Sequence, residues 1–297
     1  MVKTFMHSRW DNKIVQVSWD LGNECNQNCS YCPDVFKNGH FSNGNWDQVE
    51  IFADRMCDYY DLIGKSLYIG FGGSGEPTLV PWFGNLLRLL NNRIAGCTVS
   101  TNLTAPLEWF EEHGNVIKHI SGTVHYEYTS LPELADKICA IRDVVRDINI
   151  TVPMLPDRYD EQIKDIEWFS KKTNINVGQQ VVFSNPVEPV KLKKEYTEEI
   201  KENLRSTHDN TAYLITTKDE NNVIQAVDQI KYADINLSEN DSLREFTNWD
   251  CYAGIDTLVI DSRGFVRRGW CAQLSMHQHH MTSWSWNLNP ITCNMKW

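Results

Sequence analysis

The stretch IVQVSWDLGNECNQNCSYCPD, residues 14–34, determines how the rest of the sequence is interpreted. Its first six residues have the alternating pattern of a strand, from Ile14 to Trp19. The following loop carries three cysteines, Cys25, Cys29 and Cys32. Three thiols are one too many for a disulfide and one too few for a closed zinc site. We therefore expect a site that uses three thiols and leaves one position open.

The composition is that of a globular protein, with 297 residues, 41% hydrophobic and 23% charged. This length suits one large domain, or a large domain with an appendage. A net charge of -11 argues against a surface that wraps nucleic acid, which would need clustered Lys and Arg. The amino terminus has no signal-peptide core, and no segment approaches a membrane span. We expect a cytoplasmic protein without membrane or nucleic-acid partners.

The nine cysteines are distributed unevenly. In a reducing compartment, grouped cysteines indicate metal or redox chemistry rather than a disulfide framework. Besides the first group, a second group lies in the carboxy-terminal tail: Cys251, Cys271 and Cys293. The other three stand alone and are predicted to be small core residues: Cys57, Cys97 and Cys139.

Strand and helix patterns alternate about six times over residues 1–185, which predicts parallel strands joined by helices. An open doubly wound sheet and a complete or partial barrel both fit this pattern. In either, functional loops gather at the carboxyl ends of the strands. Four unusual segments follow the first four predicted strands: the cysteine loop, GGSGEP at 72–77, STN at 100–102 and HYEY at 125–128. We expect these four loops to form one site.

The last third of the chain differs in character. Residues 186–248 are polar and are predicted to be a bridging region, with a helix near Thr197–Leu204. Residues 249–297 form a separate extension, in which strands at Thr257–Ile260 and Phe265–Arg268 flank the turn Asp261–Gly264. Cys251 and Cys271 bracket this predicted β-hairpin.

The CxxxCxxC loop after the first strand, followed by SGEP after the second, resembles the radical S-adenosylmethionine (SAM) superfamily. The resemblance covers residues 1–185 and implies an α/β fold, a partial (β/α)6 barrel of the TIM type. It also implies a 4Fe-4S cluster on Cys25, Cys29 and Cys32 whose fourth iron binds SAM. In that family one electron cleaves SAM to methionine and a 5′-deoxyadenosyl radical, which takes a hydrogen atom from substrate.

The resemblance also implies roles for other residues in the four loops. Tyr31 occupies the aromatic position that lies by the adenine. Ser74, Gly75 and Glu76 match the family's GGEP segment near the SAM amino group, although the first glycine of that motif is serine here. Position alone makes Ser100, Thr101 and Asn102 candidate SAM contacts. By the same argument His125 and Glu127 are candidate catalytic residues at this rim.

The tail resembles the auxiliary-cluster extensions of many radical SAM enzymes, in which two cysteines flank a glycine-turned hairpin. The full SPASM type needs more cysteines than this chain has, whereas the shorter twitch type needs four ligands. Cys251, Cys271 and Cys293 supply three for a second iron–sulfur cluster. The fourth ligand could be a histidine (His277, His279 or His280), substrate, or a residue beyond Trp297. Such a cluster could accept an electron from the substrate radical or ligate the substrate.

Other functions fit parts of the pattern. The cysteine loop could hold zinc with His40 or Asp34, or carry a cluster that only transfers electrons or senses redox state. An activase that places a glycyl radical on a partner protein resembles the first half of the chain but usually needs no such tail. The favoured prediction is an enzyme acting on a peptide or small molecule. It would draw electrons from a reducing partner such as flavodoxin or ferredoxin.

Overall fold

Strands and helices alternate along most of the chain in the computed structural model, which describes residues 3–7, 13–182, 196–206, 211–218, 224–231, 250–251, 254–269, 279–286 and 291–292. The strands in these ranges are β1 (Lys3–His7), β2 (Ile14–Trp19), β3 (Gly22–Glu24), β4 (Asn38–Ser42), β5 (Ser66–Phe71), β6 (Gly96–Thr101), β7 (Ile117–Thr123), β8 (Asp147–Met154), β9 (Val177–Val181), β10 (Thr211–Lys218), β11 (Ile224–Lys231), β12 (Asp250–Cys251), β13 (Thr257–Ile260), β14 (Phe265–Arg267), β15 (His279–His280) and β16 (Ile291–Thr292). The α-helices are α1 (Trp46–Leu62), α2 (Phe83–Leu90), α3 (Leu107–His113), α4 (Leu131–Val144), α5 (Tyr159–Thr173) and α6 (Glu198–Ser206). Within the described ranges, no helix is both long and apolar enough to cross a membrane.

Six strands, β2 and β5–β9, form consecutive parallel pairs, and one of the helices α1–α5 connects each pair. This is the α/β architecture that the alternating pattern predicts. Local signals set the element ends: Asn45 caps α1 by accepting a hydrogen bond from the Gln48 amide at 3.1 Å. Gly64, which follows α1, has φ +71°.

The two faces of this sheet differ in character. In β2, alternate residues are fully buried, and the same holds for β5. The buried side chains pack with the apolar residues of the helices in one core, to which α1 contributes Val49, Phe52 and Met56. Because strand side chains alternate, the remaining ones point to the opposite face. That second face is polar and only partly covered in the described part of the chain. Two isolated cysteines, Cys57 and Cys97, are buried as predicted, whereas Cys139 is half-buried.

The predicted hairpin is confirmed, and it belongs to the barrel sheet. β13 pairs in parallel with β2, placing Ile260 opposite Trp19, and antiparallel with β14. β15 extends the edge, so nine strands of the described ranges share one sheet in the order β15-β14-β13-β2-β5-β6-β7-β8-β9. The hairpin turn therefore lies at the carboxyl end of β2, beside the start of the cysteine loop. The predicted division at residue 249 does not separate two sheets.

The predicted bridging region contains more than the expected helix. The helix is present as α6, but strands β10 and β11 follow it and form an antiparallel hairpin. β10 also pairs with β1, about 210 residues away along the chain, in a separate three-stranded sheet. Both strands were missed, although TAYLITTK at Thr211–Lys218 is rich in β-branched and aromatic residues that favour strands.

Candidate functional site

The cysteine loop is held at its base by a short antiparallel ladder. β3 ends at Glu24 and pairs with β4, with Glu24 opposite Asn38. Asn23 is fully buried and stabilises the same base: its amide nitrogen donates to the Asn38 side chain and to a backbone carbonyl, both at 2.7 Å. The Lys37 ammonium donates to the carbonyl oxygen of Cys29 at 2.8 Å. Protein groups alone thus hold the two ends of the loop together.

The three cysteines differ in how deeply they are buried. Cys29 is buried, whereas Cys25 and Cys32 are half-buried, and none of the three forms a disulfide. Burial raises the pKa of Cys29 to about 11 and raises the pKa of the other two thiols. Because metal coordination deprotonates a thiol outright, cluster binding here would release protons.

The loop after β5 packs against the base of the cysteine loop. The Glu76 amide donates to the Glu24 carbonyl and the Gly75 amide donates to the Phe36 carbonyl, each at 2.7 Å. A Cβ on Gly75 would lie 2.5 Å from the Glu24 oxygen, and Gly75 has φ +67°. Glycine is therefore required at this position for close approach as well as for backbone conformation.

Glu76 joins this loop to the one after β6. Its buried carboxylate accepts a hydrogen bond from the Thr101 hydroxyl at 2.8 Å and one from the Asn102 amide at 2.6 Å. Thr78 donates two more, from its amide and its hydroxyl. With four protein donors, the carboxylate serves to hold the two loops together.

Asn102 connects the same loop to the cysteines. Its side-chain nitrogen lies 3.9 Å from the Cys25 sulfur and donates to the Asn26 side chain at 2.9 Å. The next residue, Leu103, is fully buried at φ +63°, a left-handed conformation that non-glycine residues rarely adopt. The Lys137 ammonium, from α4, donates to the Leu103 carbonyl at 2.6 Å and stabilises this turn. Ser100 is exposed on the polar face of the sheet.

The loop after β7 also forms hydrogen bonds with the cysteine loop. The Glu127 carboxylate accepts from both the amide (2.6 Å) and the hydroxyl of Ser30. The Tyr128 hydroxyl accepts from the Asn28 amide at 2.6 Å. The four loops thus meet at one rim, as predicted. Glu127, a candidate catalytic residue, is thus bonded to Ser30 of the cysteine loop.

His125 is the other candidate catalytic residue, and it pairs with Tyr31. The His125 Nδ1 and the Tyr31 hydroxyl are 2.6 Å apart, and the rings stack at a centroid distance of 6.0 Å. Burial lowers the pKa of His125 to about 4, so the ring is neutral at physiological pH. Burial also raises the pKa of Tyr31 above its ordinary value. This pair orients the aromatic ring beside the cysteines.

The polar face of the sheet leads to this rim. Its side chains are mostly small hydroxyls and amides: Gln16, Ser18, Tyr68, Thr98, Ser100, His119, Ser121, Thr123, Asn149 and Thr151. The Tyr68 hydroxyl bonds to that of Thr98 at 2.9 Å, and Thr98 lies 3.4 Å from the His119 Nδ1. The His119 Nε2 is buried and has no hydrogen-bond partner among the described residues. The sequence predictions missed this ladder because it requires knowing the register of three strands.

Three cysteine thiols in one loop are donors that an iron–sulfur cluster takes. Nowhere in the described ranges do three or more His, Cys, Asp or Glu side chains converge to hold one ion. A cluster places each thiolate on a different iron and so needs no such convergence. Gln27 lies between the first two cysteines, and its buried side-chain oxygen has no hydrogen-bond partner among the described residues. A bound group could donate the missing hydrogen bond.

The tail is described in part. Cys271, His277 and Cys293 lie outside the described residues, as does the side chain of Cys251. His280 bonds to the Thr282 hydroxyl at 2.9 Å, and His279 packs edge-on against Trp284.

Comparisons with known proteins bear on the fold. No protein-family model matches the sequence, and no curated protein matches it. Among solved structures, anSMEcpe with bound AdoMet (S-adenosylmethionine) aligns with a TM-score of 0.56 and 14% identity, over 91% of this chain and 78% of that one. The same protein with bound AdoMet and Kp18Cys peptide gives 0.54 and 13%, over 91% and 78%. Streptococcus suis SuiB bound to precursor peptide SuiA gives 0.51 and 15%, over 86% and 59%. These similarities confirm the predicted α/β partial barrel.

Proposed function

We propose that this chain is a radical SAM enzyme. Cys25, Cys29 and Cys32 would hold a four-iron cluster and leave one iron open to SAM. When bound, this cluster supplies the electron that cleaves SAM to methionine and a 5′-deoxyadenosyl radical. The observation that carries the proposal is the convergence of three other strand-end loops on the three-cysteine loop. A fold shared with AdoMet-bound proteins supports it.

The chain's own residues would prepare the site for SAM. Glu76 and Asn102 hold two loops at fixed distance from the thiols. Tyr31, oriented by His125, offers an aromatic surface for the adenine. Ser100 is exposed toward the polar face, where ribose hydroxyls could bond.

The substrate is proposed to be a peptide. Both similar proteins have been solved with a peptide, Kp18Cys on anSMEcpe and SuiA on SuiB. The polar face, which is lined mostly by hydroxyls and amides, agrees with a substrate segment rich in hydrogen-bonding groups. The radical would take a hydrogen atom from a side chain held at the rim. A flavodoxin or ferredoxin would supply the electron.

The tail is proposed to hold an auxiliary cluster on Cys251, Cys271 and Cys293. Gly254 and Arg268 are in contact, since a Cβ on Gly254 would lie 2.8 Å from Arg268 Cγ. Gly254 is three residues after Cys251, and Arg268 is three residues before Cys271. The pairing of β12 with β16 sets Cys251 opposite Ile291, two residues before Cys293. Both observations favour a common site for the three thiols, at the end of the hairpin away from its turn.

The test is anaerobic reconstitution, followed by iron and sulfide analysis and electron paramagnetic resonance with and without SAM. We expect about eight irons per chain and one signal that SAM perturbs. Cys29→Ala should abolish the formation of 5′-deoxyadenosine, whereas Cys139→Ala, on α4 away from the rim, should not. Cys271→Ala should lower the iron content to about four and keep SAM cleavage.

Other outcomes would change the proposal. About four irons in the wild-type protein, still perturbed by SAM, would remove the auxiliary cluster and favour an activase. A cluster that does not respond to SAM would refute the enzyme and leave an electron carrier or redox sensor.

A further inference from the structure

Asp20 lies between β2, the hairpin and the loop after β5. It follows β2 directly, and its amide donates to the Ile260 carbonyl of β13 at 2.8 Å. Its carboxylate accepts two hydrogen bonds from Ser74: the amide donates to Oδ1 at 3.0 Å and the hydroxyl to Oδ2 at 2.8 Å. A Cβ on Gly73, whose φ is +113°, would lie 3.1 Å from this carboxylate. The carboxylate thus lies directly against the loop backbone.

This bidentate contact secures the start of the segment that faces the cysteines. Ser74 is followed at once by Gly75 and Glu76, whose amides bond to the two sides of the cysteine-loop base. Ser74 is only 6% exposed, so solvent cannot easily replace its hydroxyl contact. The loop is therefore held at one end by Asp20 and at the other by the Phe36 and Glu24 carbonyls.

We propose that Asp20 is a positioning residue for the SAM-binding loop, and that the serine at position 74 is its dedicated partner. This inference rests on the proposed function, because SAM is the ligand assigned to the loop. It accounts for the departure from the GGEP motif: glycine at position 74 would keep the amide donor but lose the hydroxyl donor. A buried carboxylate oxygen would then lose its partner.

The surroundings of Asp20 make its ionisation sensitive to pH. Burial raises the pKa of Asp20 to about 6; the two Ser74 bonds lower it, and the Asp261 carboxylate of the hairpin turn raises it. Two hairpin guanidinium groups, Arg263 and Arg267, bond to Asp261 at 2.9 and 3.0 Å and partly neutralise it.

An uncharged residue also bonds to the backbone at Asp20. Asn43, from the segment before α1, donates to the backbone carbonyls of Asp20 and Asp261, each at 2.8 Å. The ionised Asp20 carboxylate accepts both Ser74 bonds, whereas the protonated form carries a hydrogen that the Ser74 hydroxyl would have to accommodate. SAM affinity is therefore expected to fall as the pH drops through about 6.

The experiment measures SAM affinity of the anaerobically reconstituted protein between pH 5.5 and 8, choosing conditions without turnover. At pH 7.5, Ser74→Ala should weaken binding by about tenfold. Ser74→Thr, which keeps a hydroxyl, should restore part of the loss. Asp20→Asn should remove the step near pH 6, because the amide does not titrate. Asp136→Asn, an exposed acid on α4, serves as control and should keep the wild-type profile.

A second measurement needs no SAM. Hydrogen exchange of the reconstituted protein, followed by mass spectrometry of a peptide spanning residues 71–79, should show about tenfold faster exchange in Asp20→Ala than in wild type at the same pH. Wild-type SAM affinity in Ser74→Ala, or unchanged exchange in Asp20→Ala, would overturn the positioning role. A wild-type protein that fails to bind SAM would instead refute the proposed function, and the exchange result would still decide whether Asp20 holds the loop.

Discussion

Replacing Asp20 by Asn is expected to change the free energy of unfolding in a pH-dependent way, favouring the variant more at neutral pH than in mild acid. Asp20 has a folded-state pKa of about 6, above its ordinary value of 3.8, chiefly because it is buried. The folded protein therefore holds a proton on this carboxyl between about pH 4 and 6, when the unfolded chain has released it. Stability is favoured at the low end of this window and lost as the pH rises through 6.

The magnitude follows from the two pKa values. A difference of roughly two units corresponds to about 3 kcal/mol of unfolding free energy over the whole window. Between pH 5 and 7.5, where the measurement is practical, the linkage relation leaves about 1.4 kcal/mol. Asn keeps the shape of the side chain but has no proton to lose. The free energy of unfolding of the variant, relative to that of wild type, should therefore rise by about 1.4 kcal/mol from pH 5 to pH 7.5.

The assay is urea unfolding of metal-free wild type and variant at several pH values. Any pH-independent cost of the amide cancels when the two pH values are compared. Asp136→Asn is the control. Lys172 lowers the pKa of Asp136, so this carboxyl titrates below pH 4 and the difference in unfolding free energy between this variant and wild type should not change between pH 5 and 7.5. A difference for Asp20→Asn that is flat, or that shrinks toward pH 7.5, would show that Asp20 is not held at a raised pKa.

Three further predictions concern other contacts. Gly75→Ala should lower the free energy of unfolding in urea by about 1–3 kcal/mol, because the new Cβ would lie 2.5 Å from a backbone oxygen. Gly64→Ala is the control: it has a similar φ of +71° but open space around it, and it should cost about 1 kcal/mol. Glu127→Gln should speed iron loss through its weakened contact with Ser30 but keep 5′-deoxyadenosine formation; loss of that product at full iron content would support the predicted catalytic role of Glu127. Tyr60→Phe removes the hydrogen bond to the tail at Gly254 and should lower the unfolding free energy by about 1 kcal/mol; an unchanged value would mean that this contact does not hold the tail.

Much of the barrel follows from local sequence patterns. The alternation in Ile14–Trp19 and the apolar spacing of α1, with Asn45 and Gly64 at its ends, are properties of neighbouring residues. They predicted these elements to within one or two residues. The cysteine loop was equally evident, because its three ligands lie within eight residues. The hairpin at Thr257–Ile260 was visible for the same reason.

The pairing of distant segments was beyond local patterns. β13 lies beside β2 although about 240 residues separate them, and β1 pairs with β10 across a similar distance. A strand's pattern shows which face is buried but does not name its neighbour. The pairing of the hairpin with β2 could therefore not be read from the residues of the hairpin.

The roles within the rim depended on the same distant contacts. The positions of His125 and Glu127 at a strand end indicated a shared site, but only the fold shows that they bind Tyr31 and Ser30. Asp20 gave no signal in the sequence, because its partner lies 54 residues away. The sequence by itself determined the order of strands and helices and the three-thiol loop, since both depend on residues close together along the chain. Tertiary structure decided which polar groups hold that loop, because hydrogen bonds form between groups that folding brings within 3 Å of each other.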